Sequence, residues 1–478
     1  MTLELVASRL VAPVLGVSLY TWTSIIGAVL AGMSAGSFAG GWMADRRDPR
    51  RLLGVLLMVA GSATALIIPA LPALQFAAPL LKVPLLRVLL PILAVFGIPS
   101  FCIGLVSPVL YRICLNDLRR TGTTVGRLAA SGSLGSIAGT FATGFWLIPA
   151  IGTRAIVLGV SGGLLILGIL NMTCCRRWVK AASLMVLTAL LCMGLFGRFP
   201  HGLAPDENTR ESAYYLIKVT TAQHPTGGTV KKLILDNLVH SAANPENPDF
   251  LWYEYERVAA WVISNWAPPA LRGFFIGGGG YTLPYWVERH YPGASIEVAE
   301  IDPEVTRIAL KEFIRGSTRI VTYNEDARTA LRNLPADRKY DLIFGDAFND
   351  LSVPYHLTTL EFTRMVRSRM TDNGIYLVNV VDKPDGEFLN AIGSTLAAVF
   401  PNVWILAGSG AASYGGRSPH ILVASSTSVD VDKWRSPCDV EFALEPKRAS
   451  GGGLVLTDDH APVDNLLLPV FAEKLNPR

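Results

Sequence analysis

The chain has 478 residues and a formal net charge of +4, from 42 Lys+Arg against 38 Asp+Glu. That length admits two or more domains, and the mild charge hides an uneven split: divided at Pro200, the first part holds 16 Lys+Arg and 4 Asp+Glu, the second 26 and 34. A stretch so long and so poor in carboxylates is typical of membrane segments, where buried charge is costly; the acidic second part argues against a nucleic-acid partner, which needs a basic face, and suits a cationic substrate.

Residues 1–18 lack the basic start, apolar run and cleavage site of a signal peptide. They are too short to span a bilayer alone, which leaves an interfacial helix or the remains of one more span. Six later stretches reach the ~20 mainly apolar residues that a span needs: roughly 20–43, 52–73, 85–110, 128–150, 155–174 and 179–197. Gly32, Gly36 and Gly40 are spaced four apart, as are Ser131, Gly135 and Gly139, and small residues at that spacing let helix backbones approach in lipid. No Asp or Glu lies inside any span, which weighs against ion-coupled transport.

Orientation follows the basic residues of short loops. The loops at 45–51, 111–127 and 175–180 carry Arg46, Arg47, Arg50, Arg51, Arg112, Arg119, Arg120, Arg127, Arg176, Arg177 and Lys180, against Lys82, Arg87, Arg154 and Arg198 on the alternate side. The first set is expected on the cytoplasmic side of the inner membrane. If all six segments cross, the second half emerges outside. Five of the six cysteines lie in the apolar half and only Cys438 in the other, and no Cys/His cluster predicts a metal.

From about 210 the pattern changes. Residues 213–221 and 230–236 read as strands joined by a turn at Thr226-Gly227-Gly228. A helix follows at about 252–266. Strand-like runs at Gly273–Ile276, Ser295–Glu300, Arg319–Thr322, Asp341–Gly345, Gly374–Val381, Val403–Ala407 and His420–Ala424 then alternate with helices near 283–290, 303–313, 326–333, 358–370 and 385–399. Such alternation predicts a mostly parallel, doubly wound sheet, with its ligand at the carboxyl ends of the strands. The expected divisions are a membrane bundle at 1–200, a small β subdomain at 201–240 and an α/β domain at 241–478.

The first βα turn is Ile276-Gly277-Gly278-Gly279-Gly280-Tyr281. Glycines there let the backbone pass close to a ligand and turn into a helix. About 20 residues later Glu300 ends the second strand, placed to accept both ribose hydroxyls, while Asp302 is expected to cap the helix beginning at Pro303. Glu325-Asp326-Ala327 closes the third strand, where Asp326 is placed to accept an adenine amino hydrogen. Asp346 ends the fourth. Each acid alone reads equally well as a cap or a solvated loop; glycines with three acids at successive strand ends point to an S-adenosyl-type nucleoside. A nicotinamide dehydrogenase fits the second-strand acid equally well and the later two less well.

At these residues the chain resembles the spermidine synthase family, specifically its membrane-fused members. The resemblance runs over nearly the whole chain: Tyr20 to Ile26 and Gly40 to Arg46 in the first half; Leu235-Asp236-Asn237-Leu238-Val239-His240-Ser241, the glycine loop, Glu300-Ile301-Asp302, Asp346-Ala347-Phe348 and Leu456 to Val463 in the second. It implies a multi-pass α-helical membrane bundle followed by a Rossmann-like S-adenosylmethionine-dependent methyltransferase fold with a small N-terminal β-hairpin subdomain. It also implies decarboxylated S-adenosylmethionine, or S-adenosylmethionine itself, as co-substrate, with no metal. A small cationic amine would be the acceptor, and homo-oligomers are possible. In such aminopropyltransferases a carboxylate takes the proton of the attacking amine; Asp346 matches it. Gly277, Gly278, Gly279, Gly280, Glu300, Asp326 and Ala327 would line the nucleoside site. His240, Glu254, Tyr255, Asp350, Asp458 and Asp459 are the candidates for the polyamine, aromatics acting in part by cation–π contact. Three positions depart from the soluble synthases: Gly280 replaces the Asp of their glycine loop, Asp346-Ala347-Phe348-Asn349-Asp350 replaces Asp-Ser-Ser-Asp-Pro, and His240 stands roughly at a Gln. A methyltransferase, a ligand-binding sensor or assembly module, and a transporter with a regulatory domain stay open as rivals. An S-adenosyl substrate made in the cytosol conflicts with an outward-facing second half.

Overall fold

The computed structural model describes residues 1–15, 19–77, 84–115, 120–172, 209–223, 229–236, 238–347, 353–407, 418–430, 447–449 and 452–468. The chain divides into two compact units, Met1–Leu216 and Ile217–Arg478. The expected segment 179–197, the turn at 226–228 and Asp350 lie outside the described residues.

The first unit is helical. Its helices are α1 (Thr2–Leu15), α2 (Leu19–Arg46), α3 (Pro49–Ala65) and α4 (Ile67–Ala77), then the run α5 (Leu86–Cys114), and finally α6 (Thr121–Ala142) and α7 (Ile148–Met172). Asp48 starts α3 by accepting the Arg50 N–H, with Pro49 at the first helical position, where a missing N–H costs nothing. Helix α1 packs into the bundle: Val6, Ala7, Leu10 and Val11 are buried against Ile25, Ala28, Ile67 and Ile92. Among the described residues three helices are long and apolar enough to cross a membrane: Leu19–Arg46, Leu86–Cys114 and Ala150–Met172. The stretch expected at 52–73 is divided at Leu66 between α3 and α4. A left-handed Gly152 (φ 76°) interrupts α7, and the Glu211 carboxylate accepts the freed Thr153 N–H at 3.0 Å.

The two small-residue stripes have different fates. A Cβ on Gly32, Gly36 or Gly40 would lie 2.6, 2.1 and 2.4 Å from the backbone oxygens of Gly97, Phe101 and Leu105, so α2 and α5 pack backbone to backbone. The Ser131–Gly135–Gly139 stripe makes no such contact: α6 buries none of its residues, and a Cβ at Gly135 would meet nothing within 4 Å. The expectation of close packing there is corrected, because spacing along a helix does not say which face a neighbour covers. Gly36→Val should therefore lower the thermal midpoint of the detergent-solubilised chain, at an overpacking cost of about 1–3 kcal/mol, while Gly135→Val leaves it unchanged.

The second unit opens with an antiparallel meander, β1 (Leu216–Gln223), β2 (Thr229–Leu235) and β3 (Leu238–Ala243). Leu235 pairs with Leu238 across a two-residue turn in which Asp236 is left-handed at φ 52°, a conformation that Asp tolerates. Helix α8 (Glu254–Trp266) leads to β4 (Arg272–Ile276), α9 (Thr282–His290), β5 (Ser295–Ala299), α10 (Pro303–Glu312), β6 (Val321–Tyr323), α11 (Ala327–Asn333) and β7 (Tyr340–Gly345). Then come α12 (Leu360–Ser368), β8 (Met370–Asp382), α13 (Glu387–Ala397), β9 (Asn402–Ala407), β10 (Ser418–Ser425) and β11 (Lys447–Arg448). The sheet order is β11-β9-β10-β8-β7-β4-β5-β6. Strands β4 to β8 are mutually parallel, and β8–β10, β10–β9 and β9–β11 are antiparallel. Apolar cores cover both faces: Val258, Phe275, Leu342 and Leu377 on one, Phe274, Ile343, Phe362 and Phe388 on the other. This is a doubly wound, Rossmann-like mixed sheet. The order reverses between β4 and β7, which opens a crevice at their carboxyl ends.

Candidate functional site

The crevice is built from the ends of β4, β5, β6, β7 and β8. At the end of β4 the chain turns through Gly277 (φ 94°) and Gly279 (φ 50°). A Cβ at Gly277 would sit 2.5 Å from the Asp346 carbonyl oxygen, so only glycine lets β4 and β7 leave the sheet side by side. Every N–H of the loop is engaged within the protein. Gly277 donates to Ala299 O (2.9 Å), Gly278 and Gly279 to the Glu300 carboxylate (2.9 and 3.2 Å), Gly280 to Ser241 Oγ (2.8 Å) and Tyr281 to Gly278 O (2.7 Å).

Glu300, at the end of β5, is buried and also accepts the Asp302 N–H at 3.0 Å. Burial pushes its carboxyl up against the opposing pull of those backbone donors. A carboxylate has about four acceptor positions, so three internal donors leave room for one hydroxyl, fewer than the two expected. Asp302 caps α10, accepting the Glu304 N–H at 2.9 Å. At the end of β6, Asp326 caps α11 through Thr329 N–H (3.0 Å) and holds His356 Nε2 at 2.7 Å. Burial raises its carboxyl, but His356 and Thr329 outweigh that and leave it below the usual range. Ala327 is buried as the first residue of α11.

Asp346 follows β7. Its Oδ1 accepts from Asn379 Nδ2 of β8 at 2.9 Å, and its carboxylate also accepts from the Tyr255 phenol of α8. Burial pushes Asp346 up, with both donors opposing, and pushes the Tyr255 phenol well above its ordinary value, reinforced by the Asp346 charge. Because Asn379 must present its amide nitrogen to the carboxylate, its Oδ1 points away, buried and without a hydrogen bond. Tyr253 and Tyr255 stack with centroids 5.6 Å apart. Glu254 Oε1 is also buried without a partner, and burial raises that carboxyl despite Arg257.

The remaining candidates are dispersed. The Asp458 carboxylate is occupied by the Arg328 fork (2.7 and 2.6 Å) and by Thr359 Oγ1 (2.7 Å). Arg328 holds it down at about 2, and the arrangement ties α11 to the start of α12. Asp459 is exposed in the turn bridged by Thr457 and His460. His240 is half-buried on β3 beside Ser241. Three residues were missed. Asn379 is a lone amide in an otherwise apolar strand end. Ser241 closes on Gly280. Glu256, 1% exposed, closes a capping box with Tyr253; the Tyr253-x-x-Glu256 spacing was its available signal.

No family model matches the chain. A probable polyamine aminopropyl transferase of Bifidobacterium longum is 30% identical over 148 residues, which is 30% of this chain and 32% of that protein. A polyamine aminopropyltransferase 2 of Streptomyces coelicolor is 25% identical over 326 residues, 63% of this chain and 57% of that protein, a share larger than the second unit alone. The human eEF1A lysine and N-terminal methyltransferase is 27% identical over 141 residues, 27% of this chain and 20% of that protein. The chain thus spans about a third of the first of these relatives. Of these two relatives named as aminopropyl transferases, one matches 30% of the chain and the other 63%, and these sequence matches support a spermidine synthase-like family, whose members are transferases.

Proposed function

We propose that the second unit transfers an aminopropyl group from decarboxylated S-adenosylmethionine to a small amine such as putrescine, and that the first unit anchors it in the cell inner membrane. The observation that carries this reading is the saturated glycine loop. Its five N–H groups all have internal acceptors, and among the described residues the carboxylates Glu300, Asp326 and Asp346 stand at the strand ends beside it. A donor bearing an amino-acid carboxylate finds no anion-binding nest there; a donor without one, positively charged, is well matched.

The roles then follow from position. Glu300 holds a ribose hydroxyl and Asp326 meets the adenine edge. The amine acceptor lies against Asp346, with the Tyr253–Tyr255 stack as its aromatic wall. The neutral amine nitrogen attacks the methylene carbon beside the sulfonium. A C–N bond forms, the C–S bond breaks, and methylthioadenosine leaves with the electron pair on sulfur. The new ammonium gives its proton to Asp346, whose raised affinity for a proton suits a base facing an amine.

A methyltransferase is the second reading, favoured by the human eEF1A lysine and N-terminal methyltransferase match. Calorimetry on the purified chain separates the two. Decarboxylated S-adenosylmethionine and methylthioadenosine are expected to bind, and Glu300→Ala to weaken both by at least about tenfold, the worth of a charged hydrogen bond. Tighter binding of full S-adenosylmethionine would move the assignment to methyl transfer. Binding of none of the three would sink both enzyme readings.

A further inference from the structure

A cation drawn into a dry crevice needs an anion beside it, and the glycine loop supplies none. Nor is there space for one: a Cβ on Gly280 would lie 2.6 Å from Ser241 Cβ and 3.0 Å from its Oγ. We infer that Glu256 supplies the counter-charge for the ammonium at the end of the transferred aminopropyl chain. The inference rests on the donor proposed above.

Glu256 belongs to α8, yet it is bonded to the helix that leaves the glycine loop. Its Oε1 accepts from the hydroxyl of Thr282, the first residue of α9 and two residues past Gly280. Its Oε2 accepts from Tyr253 N–H at 3.1 Å. Two donors leave about half of the carboxylate's acceptor capacity open. The charged and titratable groups facing it are Tyr253, Tyr255 and Arg257 on its own helix and Asp346 from the end of β7. Arg257 does not neutralise it by direct contact: one guanidinium nitrogen is turned to Leu251 O and Trp252 O at 3.1 and 2.8 Å.

A second observation points to a ligand. Asn379 is 4% exposed and donates to Asp346, and its own Oδ1 has no partner. Such a buried acceptor calls for a donor that the protein does not provide. Asp346 connects the two acceptors: it takes the Asn379 amide hydrogen, and its charge acts on the Glu256 carboxyl. Burial, with the Asp346 charge, raises the Glu256 carboxyl to about 7 against the pull of Thr282 and Tyr253. Near neutral pH such a carboxyl is about half protonated, and an arriving ammonium would displace that share.

The test is calorimetric, on the full chain at pH 7 in two buffers of different ionisation enthalpy, with decarboxylated S-adenosylmethionine and methylthioadenosine. The wild type should release about half a proton per donor bound and none with methylthioadenosine. Glu256→Gln should abolish that release and weaken the donor at least about tenfold, as expected for losing a charged partner, with methylthioadenosine affinity unchanged. Thr282→Val keeps the acid but removes its hydroxyl donor, so it should increase the release; it also serves if Glu256→Gln does not fold. Unchanged donor affinity and unchanged proton release in Glu256→Gln, with methylthioadenosine still bound, would overturn the role of Glu256 and leave the nucleoside site standing. A wild type that binds neither nucleoside would instead bring down the donor assignment itself.

Discussion

Asp346→Asn should lower kcat for amine transfer by about 10²–10⁴-fold, the usual worth of a positioned general base, while leaving methylthioadenosine affinity within about twofold of the wild type. An amide cannot take the proton of the nascent ammonium, but it is isosteric and keeps a carbonyl oxygen for the Asn379 amide and the Tyr255 phenol. The wild-type rate should also fall as pH drops, because only the ionised carboxylate accepts a proton. Burial raises Asp346 and the two donors lower it, burial prevailing. The acidic limb should therefore lie above the usual carboxylate range. Asn379→Leu removes one of the opposing donors and should move that limb further up. Steady-state rates across pH with a saturating donor read both effects. An Asp346→Asn enzyme with wild-type kcat would remove Asp346 from the chemistry.

Gly277→Ala should be the most damaging single methyl in the second unit. Its φ of 94° is one that L residues rarely adopt, and its Cβ would lie 2.5 Å from the Asp346 carbonyl oxygen. Backbone strain of about 1–3 kcal/mol adds to overpacking of similar size. A total of about 4 kcal/mol corresponds to a drop in thermal midpoint of roughly 10 °C for a unit of this size. The same methyl pushes Asp346 away from Asn379, so donor binding and turnover should fall together. Gly316→Ala is the control: it too has a positive φ, 91°, but a Cβ there meets nothing within 4 Å. It should show the strain alone. Equal midpoints for the two variants would mean that the close approach of β4 and β7 carries no weight.

Much of the second unit was legible in the residues. Apolar runs between amphipathic helices marked β4, β5, β7 and β8 within a residue or a few at each end, and Pro303 after Asp302 marked the start of α10. Such signals are local: they depend on side chains a few positions apart. The antiparallel edge β9-β10-β11 was not legible as antiparallel, because strand direction is set by partners distant in the chain. Within the site, the glycine loop, Glu300, Asp326 and Asp346 announced themselves at strand ends. Asn379 and Glu256 did not, since each matters through a partner 33 or 26 residues away. Glu254 and Glu256 were alike in the sequence. Helical phase and the packing of α8 put Glu256 against Thr282, and left Glu254 Oε1 buried with no hydrogen bond.

The same division holds in the first unit. Spacing alone made the Gly32–Gly36–Gly40 and Ser131–Gly135–Gly139 stripes equivalent, and packing separated them, one against the α5 backbone and the other without a backbone neighbour, open at Gly135 and met at Gly139 only by the Thr2 side chain. Asp458, a candidate amine ligand in the sequence, carries Arg328, 130 residues away, on its carboxylate in the fold. By itself the sequence determined the two-part chain, the alternation of strands and helices and the acids at strand ends, because composition and periodicity act over a few residues. Only the tertiary structure decided which acids remain available to a ligand, because a carboxylate's chemistry depends on the donors that distant segments bring to it.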